Sequence, residues 1–313
     1  MAEKIATREA YGNALAEFGE KYNIIVLDAD LSSATKTGIF KKKFPDRFFN
    51  CGIAEGNMMT VAAGLAASGQ IPFASTFAMF AAGRAYEQIR NAIGYPRLNV
   101  KIGATHAGIS VGEDGATHQC SEDLATMRSI PGMTIINPAD AVEARAAVEA
   151  AIKFKGPVYM RFGRLAVPVI FDQASYKMEI GKGIKLAEGK DVTIIATGIM
   201  VNMALEAKEL LKAGGIDAAV VNIHTIKPLD TELVISCAAS TGAIVTAEEH
   251  NVIGGLGAAV CEAVCESRPV PVMRVGMNDA YGRSGKVPPL LELYGLTPAN
   301  IAEKAKAAIN LKK

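Results

Sequence analysis

Short apolar segments with the composition of β-strands alternate with helical segments along most of this 313-residue chain. Three of them, at positions 23–28, 71–77 and 98–106, read NIIVLD, IPFASTF and LNVKIGATH. A nearly all-apolar strand such as the last one is typical of a parallel sheet covered on both faces. Because helical segments separate the strands, we predict an α/β protein built from doubly wound sheets.

The alternation is interrupted once and then restarts, which predicts two domains. Residues 164–190 form an irregular stretch that contains one proline and three glycines. We therefore predict a first domain at 1–165, a linker at 166–188 and a smaller, self-contained α/β domain at 189–313. Both lengths are normal for domains.

The composition excludes several classes of partner. Half of the residues are hydrophobic, the formal net charge is +1, and no block of like charge stands out, so we expect neither nucleic acid nor an anionic membrane as a partner. No apolar run reaches the roughly 18 residues of a membrane span, and the first residues lack the apolar core of a signal peptide. Five scattered cysteines, an odd number, are typical of the reduced cytoplasm, where we expect this protein. Cys261 and Cys265 could share a ligand on one helix, but no other Cys or His lies at metal-ligand spacing. We therefore predict no metal ligands in this chain.

The stretch FFNCGIAEGNMM, at positions 48–59, places Glu55 at the start of an apolar helix over about 54–68. One interpretation is a helix-start acid that the macrodipole stabilises by a few tenths to about 1 kcal/mol. The other is a desolvated carboxylate whose raised pKa suits proton transfer. The position alone does not separate the two.

Two of the four histidines, His106 and His118, lie within a glycine-rich loop that follows a predicted strand, with Asp114 between them. Ligands of open α/β sheets bind beyond the carboxyl ends of the strands. A single histidine there is more often structural. Two imidazoles and a carboxylate together predict a pocket for a polar ligand with hydroxyl or carbonyl groups.

Two further pairs of residues each have a structural and a functional interpretation. Phe77 and Phe80 are three residues apart and would share one face at a helix start, either in the core or as a platform for a planar ring. Arg8 and Arg161 are isolated in apolar surroundings, where they either form surface salt bridges or bind a phosphate group.

Several motifs occur in an order and spacing that resemble transketolase. GIAEGNM, STFAMF, ATHAGISVGEDGATHQ, SIPGMTIINPAD and VYMRFGR resemble its pyrimidine-binding domain. ATGIMVNMALEA, HTIKPLD and EEHNVIGGLGAAV are similar to its C-terminal domain. The resemblance covers essentially the whole chain, although residues 164–190 carry little of it.

The resemblance implies a binding site for the pyrimidine of thiamine diphosphate. Glu55 would be catalytic, because it matches the glutamate that bonds N1′ of the aminopyrimidine and so promotes loss of the thiazolium C2 proton. Phe77 and Phe80 match the aromatic pocket around the pyrimidine, and Asp30 matches an aspartate close to the cofactor. A protein in this role supplies proton relays and orientation, whereas the cofactor carries the covalent chemistry.

The resemblance also implies how a sugar phosphate is bound. His106, Asp114 and His118 match residues that hold sugar hydroxyls, and both histidines count among the expected catalytic residues. Arg8 and Arg161 match arginines that bind the sugar phosphate group.

The sequence departs from the transketolase pattern at two positions. A third pocket aromatic expected three residues after Phe80 is Gly83 here, so the wall is more open or Tyr86 fills it. A serine expected about four residues after Asp30 is Ala34, which puts part of the phosphate contact in doubt.

The diphosphate-binding domain of transketolase, with its GDG motif and later asparagine, has no counterpart in this sequence. The resemblance therefore implies the C-terminal subunit of a split transketolase of the pentose phosphate pathway. Thiamine diphosphate would be shared with a separate N-terminal subunit that also holds Mg²⁺. We expect a dimer through the pyrimidine-binding domain, an α2β2 assembly overall, sugar-phosphate substrates, and no activity of this chain alone.

Four alternatives remain. The β subunit of a 2-oxo acid dehydrogenase shares the architecture and the glutamate, but it has no need for two hydroxyl-binding histidines. Deoxyxylulose phosphate synthase is a relative that is usually one fused chain. A non-catalytic structural partner is disfavoured because Glu55 and His118 are both present, and an unrelated α/β ligand-binding protein would not explain the ordered motifs.

Overall fold

The computed structural model describes residues 3–312, which fold into a seven-stranded sheet, a five-stranded sheet and a two-stranded sheet with helices packed around them. The strands are β1 (Lys4–Ala6), β2 (Ile24–Asp28), β3 (Phe48–Asn50), β4 (Ile71–Phe77), β5 (Lys101–Thr105), β6 (Thr134–Ile136), β7 (Val158–Arg161), β8 (Ala166–Pro168), β9 (Ile184–Ala187), β10 (Val192–Ala196), β11 (Ala218–Asn222), β12 (Thr225–Lys227), β13 (Ile244–Asn251) and β14 (Val272–Met277). The helices are α1 (Thr7–Phe18), α2 (Ser32–Thr35), α3 (Gly38–Lys43), α4 (Glu55–Ala67), α5 (Tyr86–Gln88), α6 (Asp123–Arg128), α7 (Ala141–Lys153), α8 (Met200–Ala213), α9 (Thr231–Thr241), α10 (Leu256–Ser267), α11 (Val287–Leu293) and α12 (Pro298–Asn310).

The seven-stranded sheet has the order β12-β6-β7-β5-β4-β2-β3, and all its pairs except β12–β6 are parallel. Side chains of successive strand residues point to opposite faces. Val26 accordingly packs in the core beneath α1 and α7, whereas its neighbour Leu27 packs in the core beneath α4. Apolar cores on both faces confirm the predicted α/β architecture.

The five-stranded sheet has the order β14-β13-β10-β11-β9, with only β9 antiparallel. Ile194 packs toward α8 and α12, and Ile195 packs toward α9 and α10. This second sheet is therefore also covered on both faces. β9 lies within the segment interpreted as a linker, and the exact domain boundaries stay a prediction.

The expectation of a self-contained second domain was wrong. β12 belongs to the second half of the chain, but it pairs antiparallel with β6 at the edge of the seven-stranded sheet. β1 likewise pairs with β8, more than 150 residues later in the sequence, with Lys4 opposite Pro168. Strand pairing thus joins distant parts of the chain.

Two helical segments have irregular features. α1 begins at Thr7, whose hydroxyl does not cap the helix but accepts a hydrogen bond from Gly163 N (2.8 Å). The segment after β4 is not one regular helix. It contains two wide, π-helical turns, Phe80–Arg84 and Ile89–Gly94, on either side of α5. Such turns often occur at functional sites.

Within residues 3–312, no helix is both long and apolar enough to cross a membrane. All five cysteines are free thiols.

Candidate active site

Four neighbouring parallel strands, β2, β4, β5 and β7, end at the same edge of the seven-stranded sheet. β4 ends at Phe77, and His106 directly follows β5. The sheet therefore brings together side chains that are far apart in the sequence. This carboxyl edge is the usual ligand-binding edge of an α/β sheet.

Glu55 is the first residue of α4 and is only 4% exposed. Its Oε1 lies 3.4 Å from Nη1 of Arg84, whose side chain is 58% exposed. Among the described side chains, Arg84 is the only one paired with this carboxylate, and the contact is long for an ion pair. This nearly buried carboxylate can therefore accept a hydrogen bond from a ligand.

An aromatic stack lies beside this carboxylate. The ring centroids of Phe77 and Phe80 are 5.5 Å apart with an interplanar angle of 19°, and Phe77 stacks on the His106 imidazole at 3.8 Å. The guanidinium of Arg84 covers the Phe80 ring at 4.4 Å. Phe77 is buried and Phe80 is half-buried, so Phe80 presents the accessible aromatic surface of the pair.

His106 is held in one tautomer by its two neighbours. Its Nε2 lies 3.0 Å from Nη1 of Arg8, which can only donate, so Nε2 accepts and Nδ1 carries the hydrogen toward Thr105 Oγ1 (2.9 Å). Burial, together with the nearby charges of Arg8 and Arg164, lowers the pKa of His106 to about 3. The imidazole is therefore neutral near pH 7.

His118 and Asp114 lie on the loop that the sequence predicted to line the site. The His118 ring packs edge-on against Phe80 at 5.4 Å, and its Nδ1 lies 2.9 Å from Thr117 Oγ1. Asp114 is exposed, with Oδ2 3.7 Å from Nη1 of Arg164. The half-buried imidazole and the exposed carboxylate are both accessible to a polar ligand.

Two arginines approach His106 from different elements. Arg8 donates from Nη1 to the carbonyl of Ala34 at 2.9 Å, and its buried Nε has no partner within the described residues. Burial lowers the pKa of Arg8, and the charge of Arg164 adds to the effect. Arg164 is 35% exposed, donates from Nη1 to the Val111 carbonyl, and forms long ion pairs with Glu113 and Asp114 at 3.6 and 3.7 Å. Two guanidinium groups this close to each other favour an anion between them.

The structure does not place Arg161 in this anion site, so its expected role in phosphate binding was wrong. Arg161 is 3% exposed, and its Nε donates to Asp123 at 2.9 and 3.1 Å. Its Nη2 donates to the carbonyls of Glu249 (2.9 Å) and Cys120 (3.3 Å). Arg164, three residues later, is the accessible arginine that the sequence interpretation missed. The second arginine of VYMRFGR was the available signal.

Asp30 lies at the same edge but forms no buried contact. It is exposed, has a left-handed φ of 64°, and accepts a hydrogen bond from Asn50 Nδ2 at 2.8 Å. The buried aspartate of this segment is Asp28, which accepts from Thr35 and Thr37 and whose pKa is raised by burial.

The two departures from the expected pattern have structural counterparts. Ala34 contributes its backbone carbonyl as an acceptor for Nη1 of Arg8. Gly83 is exposed, and the Tyr86 hydroxyl lies 3.3 Å from Ser129 Oγ. The Tyr86 hydroxyl is therefore directed toward the end of α6, and the space next to Gly83 is taken by Met79, whose Cε would lie 2.6 Å from a Cβ atom at this position.

Comparisons with known proteins identify the family of both halves of the chain. Residues 3–169 match the transketolase pyrimidine binding domain, and residues 181–301 match the transketolase C-terminal domain. The putative transketolase C-terminal section of Methanocaldococcus jannaschii is 51% identical over 95% of this chain and 94% of its own length. The 6-deoxy-6-sulfo-D-fructose transketolase subunit of a Clostridium species is 44% identical over 95% and 92%, respectively.

A solved structure described as a split gene transketolase, inactive beta4 tetramer, superimposes with a TM-score of 0.93 at 56% identity. The match covers 99% of this chain and 100% of that one. The order of the domains, the sequence identity over nearly the full length of these relatives, and the fold all indicate the same family. The chain therefore belongs to the transketolase family.

Proposed function

We propose that this chain is the C-terminal subunit of a two-chain transketolase, which transfers a two-carbon ketol unit from a ketose phosphate to an aldose phosphate. The observation that supports this most is the convergence of Glu55, the Phe77–Phe80 stack, His106 and the Arg8–Arg164 pair at one sheet edge. The edge combines a proton-handling carboxylate, a surface for a planar ring and a site for an anion.

The residues present fit the aminopyrimidine of thiamine diphosphate. Glu55 is nearly buried and has one long contact, so its carboxylate can bond a ring nitrogen and hold a proton there. Phe80 offers a half-buried ring face against which a pyrimidine can pack. When bound, the cofactor supplies the nucleophilic carbon and the electron sink for breaking the sugar carbon–carbon bond. Asp30 would lie near the cofactor.

The substrate would extend from the cofactor along the active-site loop. His118, with Nδ1 fixed by Thr117, can present Nε2 to a sugar hydroxyl, and Asp114 can accept from another. Arg8 and Arg164 would hold the terminal phosphate group with charge-assisted hydrogen bonds. His106 is neutral and therefore adds no charge of its own.

We propose that a separate N-terminal subunit holds the diphosphate and Mg²⁺. The described residues 3–312 contain no cluster of three or more His, Cys, Asp or Glu side chains able to bind a metal ion. Phe49, Ile53 and Val61, around the start and outer face of α4, are 49%, 77% and 41% exposed. This apolar surface beside Glu55 suits burial against another subunit, in a dimer through the pyrimidine-binding domain and an α2β2 assembly. The complex would act in the cytoplasm, in the pentose phosphate pathway.

The test is calorimetric titration of thiamine diphosphate with Mg²⁺ into this chain, alone and mixed with a transketolase N-terminal subunit from the same genome. We expect binding only in the mixture, together with ketol transfer from xylulose 5-phosphate to ribose 5-phosphate. Tight binding to the chain alone would contradict the shared site. Binding in the mixture without transfer to any of a panel of aldose phosphates would refute the activity.

A further inference from the structure

The C-terminal half of the chain reaches the active-site loop, which we define as residues 106–122 between β5 and α6. Glu249, near the end of β13, is 3% exposed. Its Oε1 accepts a hydrogen bond of 2.6 Å from the backbone N–H of Ser110, 139 residues earlier in the chain. Neither the substrate contacts nor the cofactor contacts proposed above use this carboxylate.

The carboxylate of Glu249 fills the space next to Gly108, two residues after His106. A Cβ atom on Gly108 would lie 2.3 Å from both Cδ and Oε1 of Glu249. Gly108 also has a left-handed φ of 74°, and its N–H donates to the Cys120 carbonyl at 2.8 Å. The loop therefore closes on itself against the side chain of Glu249.

The far end of the loop is held by the same strand. Arg161 donates to the carbonyls of Glu249 (2.9 Å) and Cys120 (3.3 Å), which ties β13 to the loop end. Asn251 N donates to the Ser121 carbonyl at 2.7 Å. Both ends of the segment that carries Asp114 and His118 are thus attached to β13.

The environment of Glu249 makes this attachment hard to replace by water. Burial raises the pKa of Glu249, and this rise is opposed by the Arg161 charge and by the hydrogen bond from Ser110. A buried N–H that loses its acceptor keeps the full cost of its desolvation. Removal of the carboxylate would therefore free the Ser110 segment to move.

We propose that Glu249 is a positioning residue, through which the C-terminal domain fixes the loop that presents Asp114 and His118 to the sugar. The inference rests on the proposed function for its kinetic consequences, but the loop contact itself does not. Glu55 lies on α4, and Phe77 and Phe80 touch the loop through the rings of His106 and His118 rather than through Ser110. Cofactor binding should consequently tolerate the loss of Glu249 better than sugar binding does.

The experiment compares Glu249→Ala, Glu249→Gln and Glu248→Ala in the complex with the N-terminal subunit. Glu248 is the matched control, because it is an equally buried neighbour whose carboxylate accepts from Leu256 N (2.7 Å) and Gly257 N (2.8 Å) within its own domain. The measurements are kcat, KM for each sugar phosphate, Kd for thiamine diphosphate, and hydrogen exchange at the amides of residues 108–118.

We expect Glu249→Ala to lower kcat/KM by roughly 10- to 100-fold, mainly through KM, while Kd for the cofactor stays within about twofold. Loop amides should exchange faster in this variant. Glu249→Gln keeps an acceptor for Ser110 N and should restore much of the loss. Glu248→Ala should lower thermal stability without changing the KM values or loop exchange.

Unchanged KM values and loop exchange in Glu249→Ala would overturn the proposal, as would equal effects of Glu248→Ala. If Glu249→Ala does not fold, Gly108→Ala tests the contact from the other side, because its Cβ must displace the Glu249 carboxylate. Failure of the wild-type complex to transfer ketol units would refute the proposed function alone. Loop exchange would still decide the role of Glu249.

Discussion

Arg161 and Arg164 are three residues apart, but the structure predicts opposite consequences when each is replaced by methionine. Arg161→Met should lower the stability of the folded protein and should have little direct effect on the use of sugar phosphates as substrates. Arg164→Met should lower stability less and should weaken the use of phosphorylated sugars. The pair therefore separates a structural arginine from a functional one.

The size of the stability loss expected for Arg161→Met follows from the buried groups that would lose a hydrogen-bond partner. Asp123 is fully buried and would keep only the Tyr159 hydroxyl (2.9 Å) as a side-chain partner, while the Glu249 and Cys120 carbonyls each lose a donor. Breaking a buried ion pair by removing one partner costs about 3–5 kcal/mol. For a unit of about 165 residues, this corresponds to a fall in Tm of roughly 10 °C.

The smaller stability loss expected for Arg164→Met follows from the exposure of this side chain. Its ion pairs with Glu113 and Asp114 are long and partly solvated, and its Nη1 also donates to the Val111 carbonyl, so the loss of these contacts should cost at most about 2 kcal/mol of stability. The loss of a charge-assisted hydrogen bond to phosphate should cost about 1.5–3 kcal/mol, or roughly 10- to 150-fold in kcat/KM. A non-phosphorylated sugar should be used equally well by the wild type and the variant.

The assay combines thermal unfolding of this chain with steady-state kinetics of the complex on phosphorylated and non-phosphorylated sugars. Arg161→Met/Asp123→Asn serves as the control, because removing both charges should recover part of the stability lost in Arg161→Met. A normal Tm for Arg161→Met combined with a selective loss of phosphorylated substrates would refute the assignment of both arginines.

Three further predictions concern the protonation of buried groups. Glu55→Gln should lower kcat by about 10²- to 10⁴-fold without changing Tm, because an amide cannot relay the proton. Steady-state kinetics and thermal unfolding measure the two quantities, and near-normal turnover would contradict the relay. Burial lowers the pKa of His106 to about 3, so this imidazole should not change its charge between pH 5 and 9. The plot of KM against pH should therefore have the same shape in His106→Gln as in the wild type. Loss of an inflection from this plot in the variant would show that His106 titrates in that range. Burial raises the pKa of Glu143 from 4.5 to about 7, so the folded chain binds this proton more tightly than the unfolded chain. The free energy of unfolding should therefore fall by up to about 3 kcal/mol as pH rises from 4.5 to 7, and denaturant titrations of Glu143→Gln should lack that slope.

Local patterns were sufficient for the main elements and for part of the site. Strand composition identified β2, β4 and β5, and the rule that ligands bind beyond the carboxyl ends of strands selected His106 and His118 as candidate site residues. The structure places Glu55 at a helix start, as the sequence predicted. Each of these features depends on a short stretch of sequence, which is why it could be predicted.

Contacts between distant residues could not be predicted in the same way. Arg161 is the last residue of β7, and its Nε pairs with Asp123, 38 residues earlier. Arg164 lies beyond the strand and stays accessible. No feature within VYMRFGR distinguishes the two arginines, because the partner that buries Arg161 lies elsewhere in the chain. The pairing of β12 with β6 is a similar case, since a three-residue strand carries almost no pattern of its own.

Buried polar contacts between the two halves of the chain explain why the active site depends on both of them. Glu143 of α7 accepts from Asn222 Nδ2 of β11 at 2.8 Å, and Glu249 of β13 accepts from Ser110 N of the active-site loop at 2.6 Å. Apolar surfaces can slide over one another at little cost, but a buried hydrogen bond is satisfied in only one relative position of its partners. Because Glu143 and Glu249 each bridge the two halves, a small displacement of one half would separate Asn222 from Glu143 and would leave the Glu249 carboxylate and the Ser110 N–H unsatisfied. The C-terminal domain therefore sets the position of His118 and Asp114 even though it contributes neither residue.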